Sequence, residues 1–161
     1  MMCGGRRGRI YDDVGMPVFS PNGRRLAYYA RRVRRYTMVC DGKEGPTYKG
    51  ARWPVFSPDS KRLAYVAVRE GKEFVVTDGR EGKPYQAIRS LGFSADGRHL
   101  FYVAVPVGSR SPLMVCDGIE GAPHVRILIP RKFERYPARL RYVVTGYSKA
   151  TLVEAEWPGS S

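Results

Sequence analysis

Residues 53–88 read WPVFSPDSKRLAYVAVREGKEFVVTDGREGKPYQAI, and the rest of the chain consists of copies or parts of this segment. Shifting the sequence by 37 residues superposes it on itself, and the equivalent residues are Phe19, Phe56 and Phe93; Leu26, Leu63 and Leu100; and Tyr28, Tyr65 and Tyr102. A fourth, degenerate copy begins 40 residues after Phe93, at Phe133, with Leu140 and Tyr142 in register. Repeats of roughly 20 to 50 residues are typical of solenoids, propellers and arrays.

Within this repeat, four short apolar segments alternate with turn residues. Glycine or proline stands in every turn, and no window carries the apolar spacing of an amphipathic helix. The pattern therefore predicts an antiparallel unit of four strands, named a to d, which is typical of a propeller blade. The predicted strands are a at 54–57, b at 62–68, c at 73–77 and d at 83–88.

The two ends of the sequence are complementary. Residues 1–17 align with 38–54, so residues 1–14 correspond to the end of a strand c and a strand d. Residues 129–158 supply strands a, b and c of a last blade without a strand d. We predict one all-β domain over 1–158, a β-propeller of four-stranded antiparallel blades, followed by a tail at 159–161. The three complete blades are 15–51, 52–88 and 89–128.

Four repeats can close in two ways. One chain can form a four-bladed ring, in which its N-terminal strand d completes its own last blade. Alternatively, two chains can form one eight-bladed ring, each supplying the strand d that its partner lacks. We expect the homodimer, because two-fold symmetry is the commonest in soluble oligomers and repeats of this size form wide rings.

The composition is that of a folded and strongly basic protein. Of 161 residues, 43% are hydrophobic, and the net charge is +13, with 21 arginines and 7 lysines. No apolar run reaches the length of a membrane span, and the N-terminal residues carry no secretory signal. We therefore expect a cytoplasmic protein with no membrane association. A basic surface can bind a polyanion or an acidic protein. The alternative is that the basic side chains are only solvated.

The a–b halves of the repeats resemble a known family. VFSPNGRRLAYYA (18–30), VFSPDSKRLAYVA (55–67) and GFSADGRHLFYVA (92–104) are similar to the FSPDGKRLAY motif of WD-repeat-like propellers of the TolB type. The resemblance implies blades around a central channel. Propellers of this type serve as binding platforms, as periplasmic partners and as regulatory domains beside peptidases, so the resemblance does not give an activity.

No constellation in the sequence predicts catalysis or a cofactor. The segment Gly146–Ala150 approaches the G-x-S-x-G motif, but it lies in a b–c turn and ends in alanine. We expect His99 to be exposed beside a hairpin turn, and His124 replaces a tyrosine of strand d. We therefore predict that the protein is not an enzyme, and we expect no cofactor.

The cysteines and the acidic turns have structural interpretations. Cys3, Cys40 and Cys116 occupy equivalent positions, so they predict small strand side chains rather than a disulfide or a zinc site. The Asp-Gly-x-Glu-Gly segments offer too few converging oxygens for calcium. We expect their aspartates to form turns and their glutamates to be solvated. The segments begin at Asp41, Asp78 and Asp117.

Recognition is expected where the repeats differ, since loops on a rigid scaffold carry binding residues. The connections from strand d to the next strand a differ most, and we expect them to be loops at 12–16, 49–53, 86–90 and 125–129. In a propeller such loops gather with the b–c turns at the mouth of the channel. The candidate binding face comprises Asp12, Asp13, Arg52, Trp53, Arg89 and Arg126. The alternative is that Trp53 covers the core and the arginines are solvated.

The b–c turn of blade 1 is the densest basic cluster. Its arginines form a candidate anion stripe of Arg31, Arg32, Arg34 and Arg35, with Arg6, Arg7, Arg9, Arg24 and Arg25 as further members. Arginine binds phosphate and carboxylate in the same bidentate way, so a nucleic acid or an acidic protein fits equally.

Three functions are consistent with the sequence. The first is a non-enzymatic scaffold for protein or ligand binding. The second is a polyanion or nucleic-acid binder that uses the arginine-rich face. The third is an enzyme with a site at the channel mouth, which is the weakest because no paired acids or metal ligands stand out.

Overall fold

A computed structural model describes residues 9–124, 126–128, 139–145 and 149–156, and all regular structure in these ranges is β-strand. Blade 1 comprises β1 (Asp13–Phe19), β2 (Leu26–Arg32), β3 (Arg35–Cys40) and β4 (Lys43–Tyr48). Blade 2 comprises β5 (Gly50–Phe56), β6 (Leu63–Arg69), β7 (Lys72–Thr77) and β8 (Arg80–Glu81). Blade 3 comprises β9 (Ala87–Phe93), β10 (Leu100–Val105), β11 (Leu113–Cys116) and β12 (Ile119–Pro123). Blade 4 comprises β13 (Arg126–Leu128), β14 (Arg139–Thr145) and β15 (Ala150–Glu156).

Each blade is an antiparallel sheet in which consecutive strands are neighbours, as the repeat predicts. The predicted position of strand d at 83–88 was wrong, because strand d of blade 2 is β8 at Arg80–Glu81 and β9 already begins at Ala87. Blades 1 to 3 have four strands, and the described part of blade 4 has three. Apolar residues fill the space between successive blades, because alternate residues of each strand face opposite sides of the sheet. One cluster joins blades 1 and 2, a second joins blades 2 and 3, and a third joins blades 3 and 4.

The a–b turn explains the FSPD part of the motif. In blade 2 the Ser57 hydroxyl donates to the Asp59 carboxylate and accepts a hydrogen bond from the Arg62 backbone N–H at 2.9 Å. Side chains that bond to nearby backbone in this way stabilise tight turns. The same bonds are made by Ser20 with Asn22 and by Ser94 with Asp96.

The c–d turn contributes an aspartate to strand b. Asp78 and Gly79 have φ angles of 50° and 82°, which suit a two-residue hairpin turn. The Asp78 carboxylate accepts from the Leu63 N–H at 3.0 Å and from Arg62 Nε at 3.1 Å. This carboxylate therefore fixes the start of strand b. Asp41 and Asp117 accept the equivalent backbone bonds from Leu26 and Leu100.

The arginine held by this aspartate also connects adjacent blades. Arg62 Nη1 donates to the carbonyl of Arg98 at 2.7 Å, and its guanidinium lies 5.0 Å from the ring centre of Phe93. Arg25 contacts blade 2 in the same way, through the carbonyl of Lys61 at 2.6 Å and the ring of Phe56 at 5.1 Å.

His99 takes the place of this arginine in blade 3, and the prediction that it is exposed was wrong. Its side chain is 16% exposed, and its Nδ1 lies 2.6 Å from the Asp117 carboxylate. The repeat itself predicts this contact, because Asp117 is equivalent to Asp41 and Asp78, which bind Arg25 and Arg62.

The glutamates of the c–d segment are not simply solvated, which corrects the prediction. Tyr48 in strand d of blade 1 donates to Glu81 in blade 2 at 3.0 Å, and Tyr85 donates to Glu120 in blade 3 at 2.8 Å. Each carboxylate also pairs with a cation, Arg69 in one case and Lys83 in the other. The Arg69 guanidinium holds the pKa of Glu81 below its ordinary value. These bonds join the outer edges of adjacent blades.

We expect Arg62→Ala to lower the free energy of unfolding by about 2 kcal/mol, because it removes the charge-assisted hydrogen bonds to Asp78 and to the Arg98 carbonyl and the contact with the Phe93 ring. Urea denaturation measures the loss. Arg98→Ala is the control, since that exposed side chain makes no hydrogen bond or ion pair with a described residue. It is expected to change stability by less than about 0.5 kcal/mol. Equal effects of the two substitutions would contradict the role of Arg62.

Candidate functional site

The connections from strand d to strand a are strands rather than loops. The sequence predicts loops at 12–16, 49–53 and 86–90, but β1, β5 and β9 begin at Asp13, Gly50 and Ala87. The prediction was wrong because each of these three strands contains a bulge that breaks the alternation expected of a strand. The register shifts between Gly15 and Val18 in β1, and at the equivalent places in β5 and β9.

One residue of each bulge has left-handed backbone. Met16, Trp53 and Ser90 are 37 residues apart and have φ angles of 52°, 53° and 54°. This conformation costs a non-glycine residue roughly 1–2 kcal/mol. Because three blades repeat it with three different side chains, it belongs to the blade and not to one residue. The bulge turns a variable side chain away from the packed face of the sheet.

The bulged strands of blades 1 to 3 line a cavity of about 620 Å³, the inner cleft. Its walls are mostly apolar, and they come from strand a of three successive blades. The inner cleft is lined by Met16, Val18, Trp53, Pro54, Val55, Arg89, Ser90 and Leu91.

Trp53 forms a wall of the inner cleft, where it is 40% exposed, and it does not close the core. The guanidinium of Arg52 lies 4.6 Å from the centre of the indole ring and pairs with Glu73 at 2.7 Å. The same Glu73 oxygen accepts the backbone N–H of Ile88 at 2.7 Å. Arg52 is therefore neutralised and serves to orient Trp53.

Arg89 is the charged residue among those that line the inner cleft. Its side chain is exposed on the cleft wall, next to Ser90. It makes no hydrogen bond or ion pair with a described residue, in contrast to Arg52. An uncompensated guanidinium beside apolar walls suits a ligand that combines an apolar body with a carboxylate or another anionic group.

The structure places Trp53 and Arg89 on the walls of the inner cleft, and Arg52 contacts Trp53 without lining the cleft. The other predicted residues of this face do not line the inner cleft. Asp12 accepts the backbone N–H of Val33 at 2.8 Å and so stabilises the b–c turn. Asp13 accepts from the Tyr29 hydroxyl at 3.4 Å. Arg126 is exposed at the start of β13. Sequence reasoning missed Met16 and Ser90, although both stand at the repeat position of Trp53.

The candidate anion stripe is shorter than predicted. Arg32 lies directly opposite Arg35 at the end of the β2–β3 hairpin, and Arg34 and Arg35 are exposed without a described partner. Arg32 donates to the carbonyl of Ile10 at 2.9 Å, and Arg31 is partly buried with Nε unpaired. The free cations of the hairpin are therefore Arg34 and Arg35.

Other predicted members of the stripe lie elsewhere or are engaged. Arg24 and Arg25 precede β2, at the end of the blade opposite to the hairpin, because a strand of seven residues separates the two turns. Arg25 is bound to Asp41, and Arg9 pairs with Glu44 at 2.9 Å. Arg6 and Arg7 lie outside the described residues.

The described residues contain few groups suited to covalent or metal chemistry. Cys40 and Cys116 are free thiols, and burial raises the pKa of Cys116 to about 12, which disfavours the nucleophilic thiolate. The described ranges contain no group of three or more His, Cys, Asp or Glu side chains arranged to hold a metal ion. Residues 146–148 of the G-x-S-x-A segment, and Cys3, lie outside them. The described chain contains no helix that could cross a membrane.

No family model matches the chain, and no curated protein is significantly similar to it in sequence. Solved structures with the same fold are propellers. TolB from Acinetobacter baumannii matches 92% of this chain and 42% of its own, at 13% identity and a TM-score of 0.52. The β-propeller domain of the trilobed protease from Pyrococcus furiosus, described as having an open velcro topology, matches 91% of this chain and 58% of its own, at 15% identity and a TM-score of 0.54.

These likenesses show a TolB-like propeller fold. At such identities they show the fold alone, and the chain spans about half the length of the two solved structures. The fold predicted from the repeat is therefore confirmed at the level of antiparallel propeller blades.

The strain at the bulge is testable through Ser90, the smallest of the three residues. We expect Ser90→Gly to raise the free energy of unfolding by up to about 1 kcal/mol, because glycine adopts positive φ without a Cβ penalty. Ser90→Val should lower it by about 1 kcal/mol, since β-branched residues are disfavoured there. Gln86→Gly, four residues earlier with ordinary backbone, is the control and should be destabilising. Thermal or urea unfolding measures these free energies. A lower free energy of unfolding in Ser90→Gly than in the wild type would contradict backbone strain at this position.

Proposed function

We propose that the protein is a non-catalytic propeller scaffold of the TolB type, and that it binds a protein segment or small ligand in the inner cleft. The observation that carries the proposal is the exposed indole of Trp53, held in place by Arg52 on a cleft wall built from three blades. Soluble proteins usually bury such a side chain, so an exposed and oriented tryptophan favours recognition.

The chemistry of the cleft selects the ligand class. Met16, Val55 and Leu91 provide apolar contact, and Arg89 provides the one cation of the cleft wall without a described partner. The ligand that fits is an apolar group next to an anionic one, such as a hydrophobic side chain beside a carboxylate in an acidic partner. The bulged strands hold these side chains on a rigid sheet, which lowers the entropic cost of binding.

Two fluorescent probes separate the two features of the cleft. We expect 8-anilinonaphthalene-1-sulfonate, an apolar anion, and N-phenyl-1-naphthylamine, its uncharged analogue, both to bind. Trp53→Ala should weaken both probes by about tenfold, because ~1.4 kcal/mol of aromatic contact is lost. Arg89→Gln should weaken only the sulfonate, by about fivefold, as expected for a partly exposed charge pair. Fluorescence titration measures each dissociation constant.

Arg24→Gln is the matched control, because Arg24 is an exposed arginine of the same blade array that lies outside the cleft. It should leave both probes unchanged. If Trp53→Ala leaves both affinities unaltered, the probes bind elsewhere and the inner cleft is not the ligand site.

A second candidate function is polyanion binding through the β2–β3 hairpin. The supporting observation is that Arg34 and Arg35 are exposed and unpaired at its tip, with Arg32 directly opposite Arg35. Like charges facing each other across a hairpin are unfavourable unless an anion or solvent compensates them. The overall charge of +13 adds attraction over a longer range.

This candidate predicts a salt-dependent affinity for heparin or duplex DNA. Replacing Arg34 and Arg35 by glutamine should weaken binding and reduce the slope of log K against log salt by about two, one per lost phosphate contact. Replacing Arg24 and Arg98 by glutamine removes the same charge from the opposite end of the blades and is the control. Binding that is insensitive to salt, or equal losses in the two double variants, would exclude the hairpin as the site.

A further inference from the structure

The rear face of blade 1, turned away from blade 2, exposes residues that the other blades bury. Phe19 is 66% exposed, whereas its repeat equivalents Phe56 and Phe93 are each 7% exposed. In blades 2 and 3 the preceding blade covers this position, and Arg25 and Arg62 lie over the two rings. Val14, at the position of the buried Ala51 and Ile88, is 55% exposed as well. The inner part of this rear face is therefore an uncovered blade–blade interface.

The front face of blade 4, turned away from blade 3, also exposes an apolar residue that the other blades bury. Val144, Ile127 and Val153 pack toward blade 3. Leu152 on β15 is 57% exposed. By strand register it is equivalent to Met38, Val75 and Met114 in blades 1 to 3. Those three residues are at most 4% exposed. Those three side chains pack against the blade that follows each of them.

The outer part of the rear face of blade 1 is already covered in the way a preceding blade would cover it. Tyr11 donates to Glu44 at 2.7 Å, which reproduces the contacts of Tyr48 with Glu81 and of Tyr85 with Glu120. Burial, together with Glu44, raises the pKa of the Tyr11 hydroxyl to about 12.

The backbone agrees with this equivalence. The Asp12 N–H donates to the Arg31 carbonyl at 2.9 Å, as Lys49 does to Val68 and Gln86 to Val105 at the same distance. Residues 11 and 12 therefore lie where the end of strand d of a preceding blade would lie. Strands a to c of such a preceding blade are not present beside them among the described residues.

We propose that these two faces meet between two copies of this chain: the rear face of blade 1 packs on the front face of blade 4 of the partner. The segment around Tyr11 would then lie along β15 of the partner as its strand d. By two-fold symmetry each copy uses both faces, so the pair closes a ring of eight blades.

The exposure of Phe19 and Leu152 in the same chain selects the second copy as the occupant. A chain that closed on itself would cover both residues at once, and neither is covered. Propellers have roughly four to eight blades, so one more copy of a four-blade unit completes a ring. The apolar contact comes from Val14 and Phe19 on the rear face and from Leu152 on the front face.

The sequence repeat supplies a further match. In the sequence, Arg139 precedes Leu140 as Arg25 precedes Leu26 and Arg62 precedes Leu63, and Arg25 and Arg62 lie over Phe56 and Phe93. Phe19 is the ring at the corresponding place on the rear face.

The solution mass of the 161-residue chain tests the proposal directly. Light scattering after size-exclusion chromatography at micromolar concentration is expected to give 36.2 kDa, twice the chain mass of 18.1 kDa. Phe19→Glu and Leu152→Glu should each give 18.1 kDa, because each places a charge in both copies of an apolar contact. Ile119→Glu and Val107→Glu are the controls, since both side chains are similarly exposed but lie on blade 3, and they should remain at twice the chain mass.

Mixing the two monomeric variants distinguishes a loss of contact from a loss of fold. In a mixed pair, the Phe19→Glu chain keeps its front face and the Leu152→Glu chain keeps its rear face, so one native interface is restored. We expect the mixture to contain the two-chain species at a concentration where neither variant alone does. Circular dichroism of each variant should retain the strand spectrum.

The proposal is overturned by a wild-type mass of 18.1 kDa, by any assembly other than two chains, or by variants at Phe19 and Leu152 that remain paired. It is also overturned if the mixture of the two variants stays monomeric. These outcomes are independent of ligand binding in the inner cleft, which is measured on the same chains with the probes described above.

Discussion

The structure depends on one carboxylate in each of blades 1 to 3, the aspartate of the c–d turn. Asp78 fixes the first backbone N–H of strand b and holds Arg62, and Arg62 then reaches the carbonyls and the aromatic ring of the next blade. One side chain thus links the hairpin geometry within a blade to the packing between blades. The carboxylate and the guanidinium are joined by a charge-assisted hydrogen bond from Arg62 Nε to Asp78 at 3.1 Å.

The same repetition determines where the molecule is free to vary. Some residues form the turns, the aspartate–arginine contacts and the tyrosine–glutamate contacts. Their polar groups are already bound within the fold, so they are poor candidates for recognition. The bulge in strand a is the exception, because its backbone is conserved among three blades while its side chain changes from Met16 to Trp53 to Ser90. The inner cleft is built at this position, and the fold supplies its geometry without restricting its chemistry.

The ends of the array follow from the same constraint. Each blade needs a neighbour on both faces, since a sheet with two apolar faces is stable only when both are covered. Blade 1 and blade 4 each have one neighbour among the described residues, and the exposure of Phe19 and Leu152 is the direct consequence. The contact of Tyr11 with Glu44 shows that the N-terminal segment already covers part of that face.

The sequence by itself determined the repeat, the number of strands in each complete blade and the apolar positions between blades, because a period of 37 residues and alternating apolar side chains are local properties of the chain. It also indicated Arg52, Trp53 and Arg89 as a candidate site. It could not show that Arg52 is neutralised by Glu73, that Glu81 and His99 are engaged, or that the expected loops are bulged strands. Those facts depend on contacts between residues distant in sequence and on a backbone conformation that three different side chains share, so only the tertiary structure decided them.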